Sequence, residues 1–268
     1  MSRTDIADAL VGLDDLTRRL RSECPWDREQ DERTIVPHTL EEAYELADAA
    51  YSRDDAKLLD ELGDVLFQVH FLALLMEERG VGDLAQVAEH CRQKLIRRHP
   101  HVFGEVEVES AGEVLRNWDR IKQGETGREP GIFGEVPEIL PGPLYARKVQ
   151  RRAASAGFDF CDLKAPIASV REELDEVEAA AQRADPDECF AEVGDLLFAA
   201  VSVARKLHVD PELALRACAD RFRDRIEAAE SLAAESGEIW EQLSEAKQHD
   251  YYDHARAAGS RAPDDGDK

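Results

Sequence analysis

The strongest constraint on how this chain can fold is that it repeats itself. Glu41-Glu42-x-x-Glu45 returns as Glu172-Glu173-x-x-Glu176, and Glu61-Leu62-Gly63-Asp64-Val65-Leu66-Phe67 returns as Glu192-Val193-Gly194-Asp195-Leu196-Leu197-Phe198. Position 172 against 41 and position 192 against 61 give the same offset, 131. Five of the seven residues in the longer motif are identical, and the other two exchange one aliphatic side chain for another. Two separate motifs that keep one offset mark a duplicated structural unit. The fold is therefore one that about half of the 268 residues builds twice.

That unit is helical. Valine and isoleucine are dispersed, aromatic residues are 6% of the chain, and no Asn-Gly or Asp-Gly turn lies between alternating runs, so strand signals are almost absent. Ile6, Leu10, Leu13, Leu16 and Leu20 recur at steps of three and four, the spacing of one helix face. The same spacing predicts helices over 37–51, 55–79, 83–98, 166–183, 187–207, 211–234 and 238–256. Pro37 and Pro211 are expected in first turns, with Asp210 as an N-cap. Glycine and proline crowd the stretch from 104 to 143, which predicts a connector with one short helix over 111–123. The expected fold class is all-α. One helical domain covers 1–123, a Pro/Gly-rich linker 124–143, a second helical domain 144–256 and a disordered tail 257–268.

Composition narrows the partners. With 34 basic and 58 acidic residues the formal charge is −24, which disfavours nucleic acid and anionic membranes. The longest apolar segment, Val65 to Met76, is interrupted by Gln68 and His70 and is shorter than the roughly 20 residues a membrane span requires. His70 is expected to be a buried histidine with its hydrogen bonds satisfied. The five cysteines are scattered and form no CxxC pair. Together with an N-terminus unlike a signal peptide, they lead us to expect a cytoplasmic protein.

The repeated acids carry the chemistry. On a helix Glu41 and Glu45 lie about 40° apart and Glu42 and Glu45 about 60° apart, so all three share an edge. Glu61 and Asp64, three residues apart, also share a face, on a helix otherwise unusually rich in apolar residues (Leu58, Leu59, Leu62, Val65, Leu66, Phe67, Val69, Phe71 and Leu72). No Lys or Arg stands at 46, 48, 49, 65 or 68, where an ion pair would form. Acids gathered without cations pay a desolvation cost that a divalent metal removes. Oxygen ligands favour Mg²⁺ or Mn²⁺ over zinc. Carboxylate-bridged di-iron sites need Glu-x-x-His, which the chain lacks. Phosphoryl or nucleotidyl transfer instead needs Mg²⁺ and cations for the phosphate oxygens. Lys94, Arg97, Arg98, His99 and His101 cluster at the end of one predicted helix, with Lys122 beyond them. There is no Gly-x-x-x-x-Gly-Lys loop, which excludes a P-loop ATPase.

At these residues the chain resembles the MazG family of nucleoside triphosphate pyrophosphohydrolases in its long, two-domain form. The motifs are Cys24-Pro25-Trp26-Asp27 with Gln30, Glu41-Glu42-x-x-Glu45, Glu61-x-Gly63-Asp64, Lys94-x-x-Arg97-Arg98-His99-Pro100-His101-x-Phe103, and Trp118 with Ile121-Lys122. In the second half they are Gly157-Phe158-Asp159, Glu172-Glu173-x-x-Glu176, Glu192-x-Gly194-Asp195 and Val209-Asp210-Pro211. The resemblance implies two tandem MazG-type helical bundles and Mg²⁺-dependent hydrolysis of ribo- or deoxyribonucleoside triphosphates to the monophosphate and pyrophosphate. It also implies a homodimer, an arrangement that the modest core of each copy independently suggests.

Carried over by position, the metal ligands are Glu42, Glu45, Glu61 and Asp64 in the first copy and Glu173, Glu176, Glu192 and Asp195 in the second. Glu41 and Glu172 hold metal or orient the attacking water. Lys94, Arg97, Arg98, Trp118 and Lys122 are the substrate-binding candidates of the first copy, and Arg221, Arg225 and Lys247 those of the second. The first copy departs from the family pattern at Asp31-Glu32 and Leu72. The second departs at Ser169, Ser202, Ala219, Asp224 and Ser244, losing cations on the way, so the first copy is expected to be the stronger catalyst, with the reverse assignment open because all five acids of the second copy persist. Two alternatives stay open: the same chemistry on a specialised nucleotide (phosphoribosyl-ATP or dUTP), and a non-catalytic acidic helical scaffold.

Overall fold

Two aspartates at the repeat offset start the helices that carry the Gly-Asp motifs. Asp54 accepts hydrogen bonds from the backbone N–H groups of Ala56 and Lys57, both at 3.0 Å, and opens α4 (Asp55–Glu78). Asp185 does the same for Asp187 and Glu188 and opens α10 (Pro186–Lys206). Each cap satisfies donors that the first helical turn leaves unpaired.

The computed structural model describes residues 2–52, 54–123, 131–134 and 136–259. Among them there are helices and no strands, so the chain is all-α as expected, and none of these helices is long and apolar enough to cross a membrane. The chain divides into two compact units, Met1–Gly127 and Arg128–Lys268. Residues 124–130, the first part of the expected linker, and 260–268 of the expected tail lie outside the described residues. Residues 257–259, assigned to that tail, complete the last helix instead.

In the first unit, α1 (Arg3–Glu23), the short α2 (Pro25–Glu29) and α3 (Glu32–Ser52) lead into α4. α5 (Leu84–Arg98), the single turn α6 (Pro100–Phe103) and α7 (Ala111–Gln123) follow. α3 and α4 form the closest hairpin. Its core is Ile35, Phe71 and Leu75, with Phe67 and Leu72 packed against them. Ala49 is fully buried. α1 is tied to the end of α4 by Arg18–Glu77 at 2.6 Å and Arg21–Glu78 at 2.8 Å. Arg21 also donates to the carbonyls of Asp27 and Gln30, which fixes the Cys24-Pro25-Trp26-Asp27 turn around a buried Asp27.

The second unit repeats the hairpin with α9 (Lys164–Arg183) against α10, and Ala180, the offset counterpart of Ala49, is also fully buried. α8 (Gly142–Ser155) precedes it. α11 (Pro211–Glu235), a 3-10 turn at Trp240–Gln242 and α12 (Glu245–Gly259) follow. Gln150 on α8 donates its amide to the Phe198 carbonyl at 2.8 Å. Asp159, in the loop after α8, binds Arg205 and Lys206 at the end of α10 at 2.5 and 2.8 Å.

Several sequence expectations are corrected. Pro37 does not open its helix. α3 starts a turn earlier because Asp31 caps Arg33 and Thr34, so Pro37 sits inside it and denies the Arg33 carbonyl its usual donor. α8 was not foreseen, since its apolar residues are few and short. The helix expected over 238–256 begins only at Glu245, after the 3-10 turn. Pro211 and its cap Asp210 stand as expected, with Asp210 accepting from Glu212 and Leu213. His70 is buried, yet its Nδ1 has no hydrogen-bond partner among the described residues; the nearest acid, Asp14, is 3.8 Å away.

Candidate metal centre and phosphate site

The hairpins put the acids together because the residues that carry them stand at nearly equal distances from each turn. Glu42 and Glu45 on α3 face Glu61 on α4, with carboxylate oxygens all within 4.8 Å of one another. In the second unit Glu173 and Glu176 on α9 meet Glu192 on α10 within the same distance. Glu61 is the most enclosed of the six, 6% exposed.

Asp64 and Asp195 stand outside these triads but act on them electrostatically. Burial, then the charges of Asp64, Glu45, Glu61 and Glu41, push the Glu42 carboxyl above its ordinary range. Burial and the charge of Glu45 do the same for Glu61, against the opposing charge of Lys57 one turn earlier. Glu173 is raised by burial, by the charges of Glu176 and Asp195 and by a hydrogen bond to Glu176 that favours the neutral acid. Glu192 is raised by burial and then by Glu176, Asp195 and Glu188, with Arg183 opposing. A group that is pushed toward protonation by its neighbours' negative charge is a group that would gain from a cation.

Among the described residues no lysine or arginine forms an ion pair with Glu42, Glu45 or Glu61, nor with Glu173, Glu176 or Glu192. Clustered oxygens without nitrogen or sulfur donors fit a hard divalent cation. Glu41 and Glu172 are exposed at the edges of the clusters, and Glu41 has His38 at 3.6 Å. Sequence reasoning had no signal for His38, which also meets Trp26 with ring centroids 5.5 Å apart.

The basic residues of the first unit gather where α5 ends. By residue count, Arg98 and Asp64 are equally far from the turn between α4 and α5. Arg98 is buried, Lys94 and Lys122 are half-buried and Arg97 is exposed. Trp118 on α7 lies under the Arg98 guanidinium. In the second unit Arg221 and Arg225 lie on α11, but Lys247 is bound to Glu238, which also accepts from the Tyr251 hydroxyl at 2.7 Å. Lys247 therefore ties the segment just before the 3-10 turn to α12 in this conformation.

Comparison with known proteins gives these features a lineage. The MazG nucleotide pyrophosphohydrolase domain matches residues 30–103, which span the first triad and the Arg97-Arg98 motif. The chain is 38% identical over 252 residues to a nucleoside triphosphate pyrophosphohydrolase of Escherichia coli K12, covering 88% of this chain and 96% of that protein. It is 38% identical over 244 residues to the nucleoside triphosphate pyrophosphohydrolase/pyrophosphatase MazG of Thermotoga maritima, covering 90% and 93% respectively. Similarity along nearly the whole of both proteins, on an all-α chain with paired acid clusters, places this chain in the MazG family of nucleoside triphosphate pyrophosphohydrolases.

Proposed function

We propose that this protein hydrolyses nucleoside triphosphates to the nucleoside monophosphate and pyrophosphate, with Mg²⁺ held by its acid triads. The single observation that carries the reading is the meeting of Glu42, Glu45 and Glu61 without a paired cation. Mn²⁺ suits the same oxygens. Glu42, Glu45, Glu61 and Asp64 hold the metal in the first copy, and Glu173, Glu176, Glu192 and Asp195 in the second. Glu41 and Glu172, at the exposed edges, orient the attacking water or add a ligand. When bound, Mg²⁺ neutralises phosphate charge and lowers the pKa of water.

The chain's own residues do the rest. Lys94, Arg97, Arg98 and Lys122 bind phosphate oxygens and hold the triphosphate with its α-phosphorus exposed to water, and pyrophosphate leaves into the same positive surroundings. The first copy carries the larger share of turnover, supported by its buried Glu61 and its fuller set of basic residues. Arg221 and Arg225 are the corresponding candidates in the second copy, where Lys247 must first leave Glu238.

The proposal includes a homodimer. α4 exposes Leu59, Leu62, Leu66 and Val69 along one stripe, and α10 exposes Phe190, Val193 and Leu197 at the repeat offset. An apolar stripe preserved in both copies suits packing against a second chain. The domain limits 1–123 and 144–256 with a connecting 124–143 belong to the proposal too. So does a cytoplasmic location, supported by five free cysteines.

Product analysis with ATP, GTP and the deoxynucleoside triphosphates in Mg²⁺ tests the reading, comparing wild type with Glu61→Ala/Asp64→Ala and Glu192→Ala/Asp195→Ala. Monophosphate and pyrophosphate are expected, with the larger loss in the first double variant. Diphosphate and phosphate as products would overturn the reaction, and full activity of the first variant would overturn the choice of copy.

A further inference from the structure

Trp118 is not an open platform. The Arg98 guanidinium carbon lies over its ring, 5.6 Å from the centroid. The imidazole of His99 meets the same indole nearly perpendicular, at 78° with centroids 4.8 Å apart. His99 is itself fixed, because its Nδ1 lies 2.6 Å from the Leu95 carbonyl, a hydrogen bond in which the ring N–H donates. The His101 ring packs against that of His99 with centroids 5.5 Å apart. His99 also ends α5, and its φ of −121° and ψ of 57° turn the chain away from the helix right after Arg98.

An aromatic face occupied by a guanidinium is a cation–π contact, which holds the planar group in a limited range of orientations. Arg98 is only 8% exposed, so its charge has few directions available. A nucleobase seeking the same indole face would have to displace Arg98 from it.

We propose that Trp118 and His99 are positioning residues that aim Arg98 at the triphosphate, and that Trp118 does not stack on the base. This rests on the phosphate-binding reading given above. The group recognised through Trp118 is the phosphate chain, which every nucleoside triphosphate shares, so its contribution is independent of the base.

Equilibrium binding by calorimetry, with Mg²⁺ present, separates the two roles. The ligands are inorganic tripolyphosphate and an α,β-imido nucleoside triphosphate, and the proteins are the full-length wild type, Trp118→Leu, Arg98→Gln and the double variant. Leucine fills much of the indole's space without its π face. Trp118→Leu is expected to weaken both ligands by the same factor, roughly 3- to 30-fold, and Arg98→Gln by roughly 10- to 150-fold. In the Arg98→Gln background, Trp118→Leu should cost nothing further. Trp118→Phe, which keeps a π face, should restore most of the affinity, and this rescue separates positioning from mere packing.

The inference is overturned if Trp118→Leu weakens the nucleotide but spares tripolyphosphate, the pattern of base stacking. It is also overturned if the two substitutions simply add. Failure of the wild type to bind tripolyphosphate would overturn the phosphate site itself, and the positioning role with it.

Discussion

Gly63 tests whether the acid motif is shaped by folding or by what approaches it. It is the ninth residue of the 24-residue helix α4, where glycine costs about 1 kcal/mol relative to alanine. Nothing lies within 4 Å of the position a Cβ would take. No packing within the unit therefore demands glycine, and Gly63→Ala should raise the melting temperature by about 2–8 °C. Leu59 and Leu66, on the same side of α4, are 75% and 37% exposed, so the added methyl projects toward the open side of the helix. If a ligand or a second chain comes close there, crowding of about 1–3 kcal/mol lowers kcat/KM by roughly 5- to 150-fold. Gly194 occupies the ninth position of α10, again with nothing within 4 Å, and serves as the internal comparison. Thermal denaturation followed by circular dichroism gives the first quantity and pyrophosphate release the second. Sedimentation at the same concentrations tells whether lost activity follows lost association. A lower melting temperature would refute the reading of open space. Greater stability with undiminished turnover in both variants would refute the functional demand for glycine.

Further outcomes follow from the same geometry. Because Glu42, Glu61, Glu173 and Glu192 all sit above their ordinary value of 4.5 in the fold, they bind protons more tightly folded than unfolded. Their share of metal-free stability is greatest below that value and is lost as pH rises through the folded pKa values. Urea unfolding after chelation, compared with Glu61→Gln/Glu192→Gln, should show this slope shrink in the variant and flatten when Mg²⁺ is restored. Saturation with Mg²⁺ at about a hundred times its Kd should contribute about 2.7 kcal/mol of stability for each occupied site, and Glu61→Ala/Asp64→Ala should lose the contribution of the first site while keeping that of the second. Asp159 behaves oppositely. Although burial opposes it, Arg205 and Lys206 hold its carboxyl at about 2, below its ordinary 3.8. Its contribution is present above 3.8 and is lost as pH falls through about 2. Asp159→Asn should therefore cost about 1–2 kcal/mol at neutral pH once solvent screening is counted, measured by urea unfolding. Asp54→Ala and Asp185→Ala should each cost about 1 kcal/mol of stability, read from the same unfolding curves.

The sequence made the helices and the acid triads legible because both are written in local periods. Spacing of three and four places Glu42 beside Glu45, and a hairpin with a short turn then brings Glu61 to them without any information from elsewhere. Asp64 has the right spacing, but only the packed pair shows that its charge reaches Glu42 across the hairpin. Pro37 misled because the Asp31 cap, a turn upstream, decides where α3 begins. α8 went unseen because the two residues it buries, Gln150 and Arg152, are both polar, and Gln150 is held by the Phe198 carbonyl far along the chain. Trp118 and Arg98 meet through packing of α5 and α7, and no periodicity records such a contact. His70 shows the same limit, since its unpartnered nitrogen depends on where α1 lies.

Ala49 lies one turn beyond Glu45 on the same face of α3 and is completely enclosed. Where two helices touch through a single methyl group they can draw near, and a bulkier side chain there would wedge them apart. The gap between facing oxygens is thereby gauged by the smallest side chain in the pair, at a point that never meets an ion. Ala180 sets the same gauge in the other half. Discrimination between a small and a large ion would then be tuned by aliphatic bulk at these two positions, leaving every acid in place.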